Sequence, residues 1–231
     1  MKKLVVFSGA GISAESGIQT FRDAGGLWEN YKIEDVATPT AFYINPQLVL
    51  DFYNLRRRNI QEVKPNDAHL RLVDLERHFD VTIITQNIDD LHERAGSKNV
   101  LHLHGEITKA KGSIGNVTAV NIGFSDIKLG DLAENGSQLR PDIVWFGEDV
   151  PEYENAKEII STCDILIVIG TSLNAQPAAG LIHYAPSHSK KIIIDPNMSM
   201  SDKLEGFEVI NRVASKGVSD LVQLLVSSYT K

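Results

Sequence analysis

The amino-acid sequence predicts an α/β fold, a doubly wound, Rossmann-like parallel sheet with a small inserted second module. Three observations carry that prediction. Short apolar runs alternate with helix-like segments, a glycine-rich turn directly follows the first run, and polar residues gather just beyond several of the others.

The runs "KLVVFSG", "VTIITQN", "VLHLHG", "DILIVIG" and "KIIIDPN" read as buried parallel strands, with "VWFG" as a weaker strand or loop. "PNDAHLRLVDLERHF" and "EYENAKEIIST" read as helices between them, and "VSDLVQLLVSSY" as an amphipathic closing helix. Two stretches break the alternation. One carries the helical pattern "NPQLVLDFYNLRRRNIQE"; the other, residues 106–140, is rich in Gly, Ser, Asn and Asp. They are expected to form the small module, from 28–68 and 106–140, within a single domain over 1–231. The Rossmann-like part is then 1–27, 69–105 and 141–231.

Composition narrows the function classes. The chain has 231 residues, 42% of them hydrophobic and 23% charged, and no apolar run reaches the ~20 residues that span a bilayer. Met1-Lys2-Lys3 and the apolar residues after it faintly resemble a signal peptide. The run stops at Ser8-Gly9, so it reads better as a first strand. A net charge of -7, with no basic block besides Arg56-Arg57-Arg58, argues against nucleic-acid binding. The single cysteine, Cys163, allows no intramolecular disulfide and fits a reducing, cytoplasmic setting. Oligomeric state is open and a monomer is compatible with the sequence.

Gly9-Ala10-Gly11-Ile12-Ser13-Ala14 matches G-x-G-x-x-G/A, the turn that lets backbone approach a pyrophosphate at a helix N-terminus. The acidic residue that ends a second strand in dinucleotide-binding dehydrogenases is missing, which disfavours that class. Gly170-Thr171-Ser172, leading towards a helix, is a second phosphate-loop candidate. Asp195 and Asn197 end the next strand, where they would hold a ribose hydroxyl or simply make a turn. Gln86, Asn87, Asp89 and Asp90 follow another strand. Asn87 or Asp89 would face a ligand, cap the helix near Leu91, or do both. In "LHLHGE", His102, His104 and Glu106 alternate and would share one strand face, either as metal ligands or as one base with two bystanders.

"GAGISAESGIQTFRD", "TQNIDDLHERAG", "LHLHGE", "RPDIVWFGE", "IGTS" and "DPN", in this order, resemble the sirtuins, NAD-dependent protein-lysine deacylases, over essentially the whole chain. The resemblance implies that Gly9 to Arg22 wraps the diphosphate and nicotinamide ribose, through Gly9, Ala10, Gly11, Ile12, Ser13, Glu15, Thr20 and Arg22, with Phe21 as a lid. Gln86 and Asn87 would hold the nicotinamide ribose and a water, and Ile88 and Asp89 the nicotinamide. Gly170, Thr171, Ser172, Asp195 and Asn197 would hold the adenosine half, with Trp28 and Ala214 also near NAD. Asn87, Asp89 and His104 are the implied catalytic set. Val144, Trp145, Phe146 and Gly147 would pair with the substrate peptide as an added strand.

In the implied chemistry the acyl oxygen of a modified lysine attacks C1′ of the nicotinamide ribose as nicotinamide leaves. His104 then takes a ribose hydroxyl proton so that the 2′ oxygen attacks the alkylimidate. The products would be nicotinamide, free lysine and 2′-O-acyl-ADP-ribose.

Tyr53 and Arg56 lie three positions apart on the helical pattern and share a face, where a phenol and a planar guanidinium fork suit a carboxylate. The pair matches the Tyr-x-x-Arg feature of sirtuins that remove succinyl and malonyl groups, so such groups are the expected substrates, with acetyl as a further one. Arg57, at i+4, is geometrically nearly equivalent, and preferring Arg56 rests on the resemblance.

The chain departs from the family at one point. Most sirtuins carry two Cys-x-x-Cys pairs for a structural zinc after the His-Gly-Glu segment, and residues 107–138 here hold neither cysteine nor histidine. No zinc is expected. Packing of Ile107, Val117, Val120, Ile122, Phe124, Ile127 and Leu129, partly as a hairpin, is the expected replacement. Acyl-lysine proteins or peptides are the expected partners, with no nucleic acid or membrane. The competing readings are a simple deacetylase, an ADP-ribosyltransferase of the same fold, a non-catalytic NAD or ADP-ribose sensor, and a metalloenzyme. His69 reads as a buried packing or hydrogen-bonding residue, and Glu106 as structural.

Overall fold

A computed structural model describes residues 1–19, 31–173, 175–197 and 205–229. Its main sheet has six parallel strands: β1 (Lys3–Ser8), β2 (Asp80–Thr85), β3 (Val100–His102), β7 (Ile165–Ile169), β8 (Lys190–Ile194) and β9 (Phe207–Ile210), in the order β3-β2-β1-β7-β8-β9. Alternation along β1 explains the two layers. Leu4 and Val6 face a core closed by α4 (Asp67–Leu75) and α7 (Ala214–Tyr229), while Val5 and Phe7 face one closed by α6 (Tyr153–Ser161) and the 3₁₀ helix Ala178–Tyr184. The chain winds outward from β1 in one direction and from β7 in the other. The switch point, where ligands bind in such sheets, therefore lies between the carboxyl ends of these two strands.

A second sheet is antiparallel, in the order β5-β4-β6, from β4 (Gly105–Gly112), β5 (Val120–Asn121) and β6 (Leu139–Ile143). It packs with α1 (Ile33–Val36), α2 (Pro39–Ile44) and α3 (Pro46–Glu62) around Val49, Phe52, Ile107, Ile143 and Trp145. Proline at the first helical position and a side-chain cap start α2 and α3 alike: the Ala41 amide donates to Thr38 Oγ1 at 3.0 Å, and the Leu48 amide to Asn45 Oδ1 at 3.1 Å.

Several expectations are corrected. "VLHLHG" is not one strand. β3 ends at His102, and Gly105, at φ +76°, turns the chain into the other sheet, so His102, His104 and Glu106 share no strand face. The glycine turn after β1 runs into two short 3₁₀ turns, Ala10–Ile12 and Ala14–Ser16, where an α-helix was expected. The segment after Ser172 leads to a 3₁₀ helix, and Val144–Gly147 lie in a loop beyond β6. In the small module Ile107 and Ile127 are buried, but Val120, in the two-residue strand β5, and Leu129, in a turn, are about half exposed. The edge strand β9 was not anticipated.

Polar clamps from α3 hold the 105–143 segment. Asn54, 5% exposed, donates through Nδ2 to the Ile127 carbonyl at 2.8 Å and accepts from the Ile127 amide at 3.0 Å. Arg57, fully buried, donates to the Ile107 carbonyl at 2.8 Å and to Asn54 Oδ1 at 2.7 Å. At the far end Asn135 Nδ2 donates to the Ile114 carbonyl at 2.8 Å, while its Oδ1 accepts from the amide and hydroxyl of Ser137. The donor set of this segment does not fit a zinc ion: it lacks thiolates and imidazoles, and among the described residues no three His, Cys, Asp or Glu are placed so as to hold a metal ion. Nor, among these residues, is any helix long and apolar enough to cross a membrane.

Candidate active site

At the switch point the loops after β1 and β7 are stitched together. The Gly9 amide donates to the Ile169 carbonyl at 3.0 Å and the Gly11 amide to the Gly170 carbonyl at 2.8 Å. Gly170 sits at φ +59°, and a Cβ there would lie 2.4 Å from the Ile12 amide nitrogen. The glycines therefore serve close backbone contact as well as access to a ligand. The end of β2 joins the same junction: Thr171 Oγ1 donates to Gln86 Oε1 at 2.9 Å, and Asn87 Nδ2 donates to the Gly9 carbonyl and to Ser13 Oγ, each at 3.2 Å.

Two chambers meet here, sharing Ala10, Gln86, Asn87, His104 and Ala175. One extends over Gly170, Thr171 and Ser172 to Asp195, Asn197 and Ala214, and also touches Gly11 and Glu15. Asp195 Oδ1 accepts from the Asn197 amide at 2.8 Å, the turn considered from sequence. Both Glu15 oxygens are taken by Ser215, from its amide at 2.8 Å and its hydroxyl at 2.7 Å, so Glu15 fastens the glycine loop to the start of α7. The other chamber, about 1100 Å³ including its open mouth, runs past Ile88, Asp89 and His104 to Tyr53, Arg56 and the Val144–Gly147 loop. Ile12 and Ser13 lie buried behind the chambers. Thr20, Phe21, Arg22 and Trp28 lie outside the described residues.

His104 Nδ1 faces the Gln86 carbonyl at 2.9 Å and must donate to it, which leaves the lone pair on Nε2. Burial pushes its pKa below the usual histidine range, so the imidazole is neutral at pH 7. Asp89 is buried, and its two oxygens accept from the Leu91 amide at 3.1 Å and Ser13 Oγ at 3.0 Å. Burial raises its pKa against these hydrogen bonds. Asp89 thus lines the cleft while accepting from the first amide of the helix Leu91–Ala95, whose N-cap is Asp90 and makes no side-chain cap bond.

Tyr53 and Arg56 both line the second chamber. Arg57 points to the small module instead, which removes the ambiguity left by the helical spacing. Burial lifts the Tyr53 pKa to about 12, so the phenol keeps its proton. Arg56 stands 5.7 Å from the centre of the Phe52 ring, and its desolvation is opposed by Tyr53 and Asp89. Trp145 is buried, and Phe146 is half exposed at the mouth.

Sequence reasoning assigned no role to Arg140 and Glu148, although both flank the quoted "VWFG". Arg140 stacks 3.3 Å from the Trp145 ring centre and donates to both Glu148 oxygens, at 2.6 and 2.9 Å. Glu148 also accepts from the Trp145 amide at 2.8 Å, which fixes the loop. The signal was the charged residue at each end of the motif.

Comparison with known proteins places this arrangement. The Sir2 family model matches residues 9–177. The NAD-dependent protein deacylase of Bacteroides thetaiotaomicron is 51% identical over 231 residues, covering 98% of this chain and 99% of the relative. The protein of that name from Helicobacter pylori strain J99 is 51% identical over 226 residues, covering 98% and 96%. Among solved structures, a Sir2 homologue in complex with NAD superposes with a TM-score of 0.87 at 36% identity, covering 99% of this chain and 91% of the other. A Sir2 protein with a p53 peptide and NAD gives 0.77 at 30% identity, covering 96% and 92%. A matched family model over most of the chain and relatives of half-identical sequence along its full length make the conclusion plain: this chain belongs to the Sir2 family.

Proposed function

We propose that this protein removes acyl groups from protein lysines with NAD as co-substrate, and that succinyl and malonyl groups are its preferred cargo, with acetyl as a further one. The single observation that carries the acyl preference is that Tyr53 and Arg56 line the same chamber as Asp89 and His104. A proton-bearing phenol and a guanidinium in a largely desolvated pocket suit a carboxylate at the far end of an acyl chain. An acetyl group has no terminal carboxylate for them to bind.

The roles follow from the local chemistry. The diphosphate and adenosine half would lie in the chamber along Gly11, Gly170, Thr171 and Asn197. Nicotinamide would sit beside Ile88 and Asp89, whose carboxylate retains lone pairs for a carboxamide N–H. His104 Nε2 would take the ribose hydroxyl proton at the junction of the chambers. The acyl-lysine would enter along Val144–Gly147; the amides of Val144, Trp145 and Phe146 are bound to the His104 carbonyl, Glu148 and the Ala37 carbonyl, so a peptide backbone would pair through the Gly147 amide and the loop's carbonyls. The acyl oxygen bonds C1′ as the bond to nicotinamide breaks, the 2′ oxygen then bonds the acyl carbon, and one water adds to that carbon as its bond to the lysine nitrogen breaks, so lysine, nicotinamide and 2′-O-acyl-ADP-ribose form in equal amounts with one water consumed.

The test is nicotinamide release from NAD on addition of a succinyl-lysine peptide. Sustained release, many nicotinamides per protein, with 2′-O-acyl-ADP-ribose formed in step and both lost in His104→Tyr, supports the reading; a protein that binds NAD but releases no nicotinamide with any acyl peptide, or a His104→Tyr variant that turns over like wild type, refutes it.

A further inference from the structure

The two histidines of "LHLHGE" grip consecutive carbonyls of the turn after β2, and they do so in opposite protonation states. His104 Nδ1 holds the Gln86 carbonyl and leaves Nε2 bare. His102 Nδ1 lies 2.9 Å from the Asn87 carbonyl, and its Nε2 lies 2.8 Å from Glu93 Oε1. A carbonyl only accepts, so Nδ1 carries a proton. The Glu93 side chain is 39% exposed and stays ionised at neutral pH, so Nε2 carries one as well. With both nitrogens donating, His102 is an imidazolium, although its own side chain is only 6% exposed.

We propose that His102, held as an imidazolium by Glu93, is a positioning residue for NAD: it fixes the Asn87 carbonyl, and with it the turn that carries Asn87 and Asp89 into the nicotinamide pocket. This rests on the function proposed above. The groups facing His102 are Glu93 and His92 from α5 (Leu91–Ala95), Asp89 from the turn and Glu106 from β4, while Lys109 of β4 faces Glu93. Burial opposes the charge on His102, but Glu93, the Asn87 carbonyl and Glu106 outweigh it and push its pKa above the usual histidine range. At Asp89 the same charge opposes burial and favours the carboxylate. Neither Glu93 nor His102 lines the chambers, so their effect on a ligand must pass through Asn87 and Asp89.

The experiment compares wild type, Glu93→Gln and His102→Gln in three measurements. Nitrogen-15 NMR should find the His102 imidazole of wild type titrating above the ordinary histidine value, and that of Glu93→Gln titrating at a lower pH than wild type. Calorimetry should find NAD binding weakened about tenfold in both variants, the scale of one charge-assisted hydrogen bond, with ADP-ribose binding within about twofold of wild type. The alkaline limb of kcat/KM for NAD should shift to lower pH in Glu93→Gln. A His102 in wild type that titrates at or below the ordinary histidine value overturns the proposal, as does an equal loss of NAD and ADP-ribose affinity, which is the mark of a merely structural role. The NMR result on wild type stands even where a variant fails to fold. Wild type that binds NAD but releases no nicotinamide ends the deacylase reading, and the binding comparison still decides the role of His102.

Discussion

Asn54 gives the sharpest stability prediction. Asn54→Leu removes one side chain and strands three buried groups at once: the Ile127 amide, the Ile127 carbonyl and Nη1 of Arg57. A buried polar group left without a partner costs about 1–3 kcal/mol, so even the low end for each gives about 3 kcal/mol for the three. In a chain of this length each kcal/mol moves the melting midpoint by about 2–4 °C, so a drop on the order of 6–12 °C is expected. Thermal denaturation by circular dichroism reads the drop, and hydrogen exchange should place the loosening in residues 105–143. Asn59→Ala, on the exposed side of the same helix, should stay within about 0.5 kcal/mol of wild type. An Asn54→Leu midpoint within 2 °C of wild type (about 0.5–1 kcal/mol) would refute the view that this clamp organises the module.

Acid should act through a buried histidine pair. His69 and His92 are fully buried with ring centres 4.9 Å apart; burial pushes the His69 pKa down to about 4 and that of His92 well below the usual value. Both are neutral in the fold. Below pH of about 6.5 the unfolded chain takes up protons that the native state refuses, so stability falls with pH and the His69 contribution, about 3 kcal/mol, is gone near pH 4. Urea midpoints at pH 7.5 and pH 5 test this: the lower midpoint belongs at pH 5, His69→Gln should flatten the difference, and equal midpoints would contradict it. Gly170→Ala puts a Cβ 2.4 Å from the Ile12 amide nitrogen at a positive φ, so it should reduce NAD affinity more than tenfold and lower stability by more than about 1 kcal/mol. Wild-type affinity by calorimetry would contradict that.

The fold was legible where burial on both faces makes a strand a continuous apolar run, as in "VVF" of β1 or "ILIVI" of β7. The edge strand β9 was not, because its four residues are only partly buried or exposed and carry a weak pattern. The switch-point glycines were legible as a motif, but their contact with one another was not, since it joins loops more than 150 residues apart in sequence. "LHLHGE" misled because period 2 presumes an unbroken strand, whereas the positive φ of Gly105 divides the motif between two sheets. The choice between Arg56 and Arg57 was undecidable from spacing alone. It is made by Asn54 and the Ile107 carbonyl, which occupy Arg57 and leave Arg56 to the cleft.

The central claim, an acyl pocket built for a carboxylate, is tested most directly by one kinetic comparison. Succinyl-, malonyl- and acetyl-lysine peptides of one sequence are assayed with NAD against wild type and the Tyr53→Phe, Arg56→Met double variant. The account predicts that wild type prefers the two acidic acyl groups, and that the double variant loses that activity by more than tenfold while its activity on acetyl-lysine persists. Equal loss on all three peptides in a folded variant, or a wild type that prefers acetyl-lysine, would contradict it.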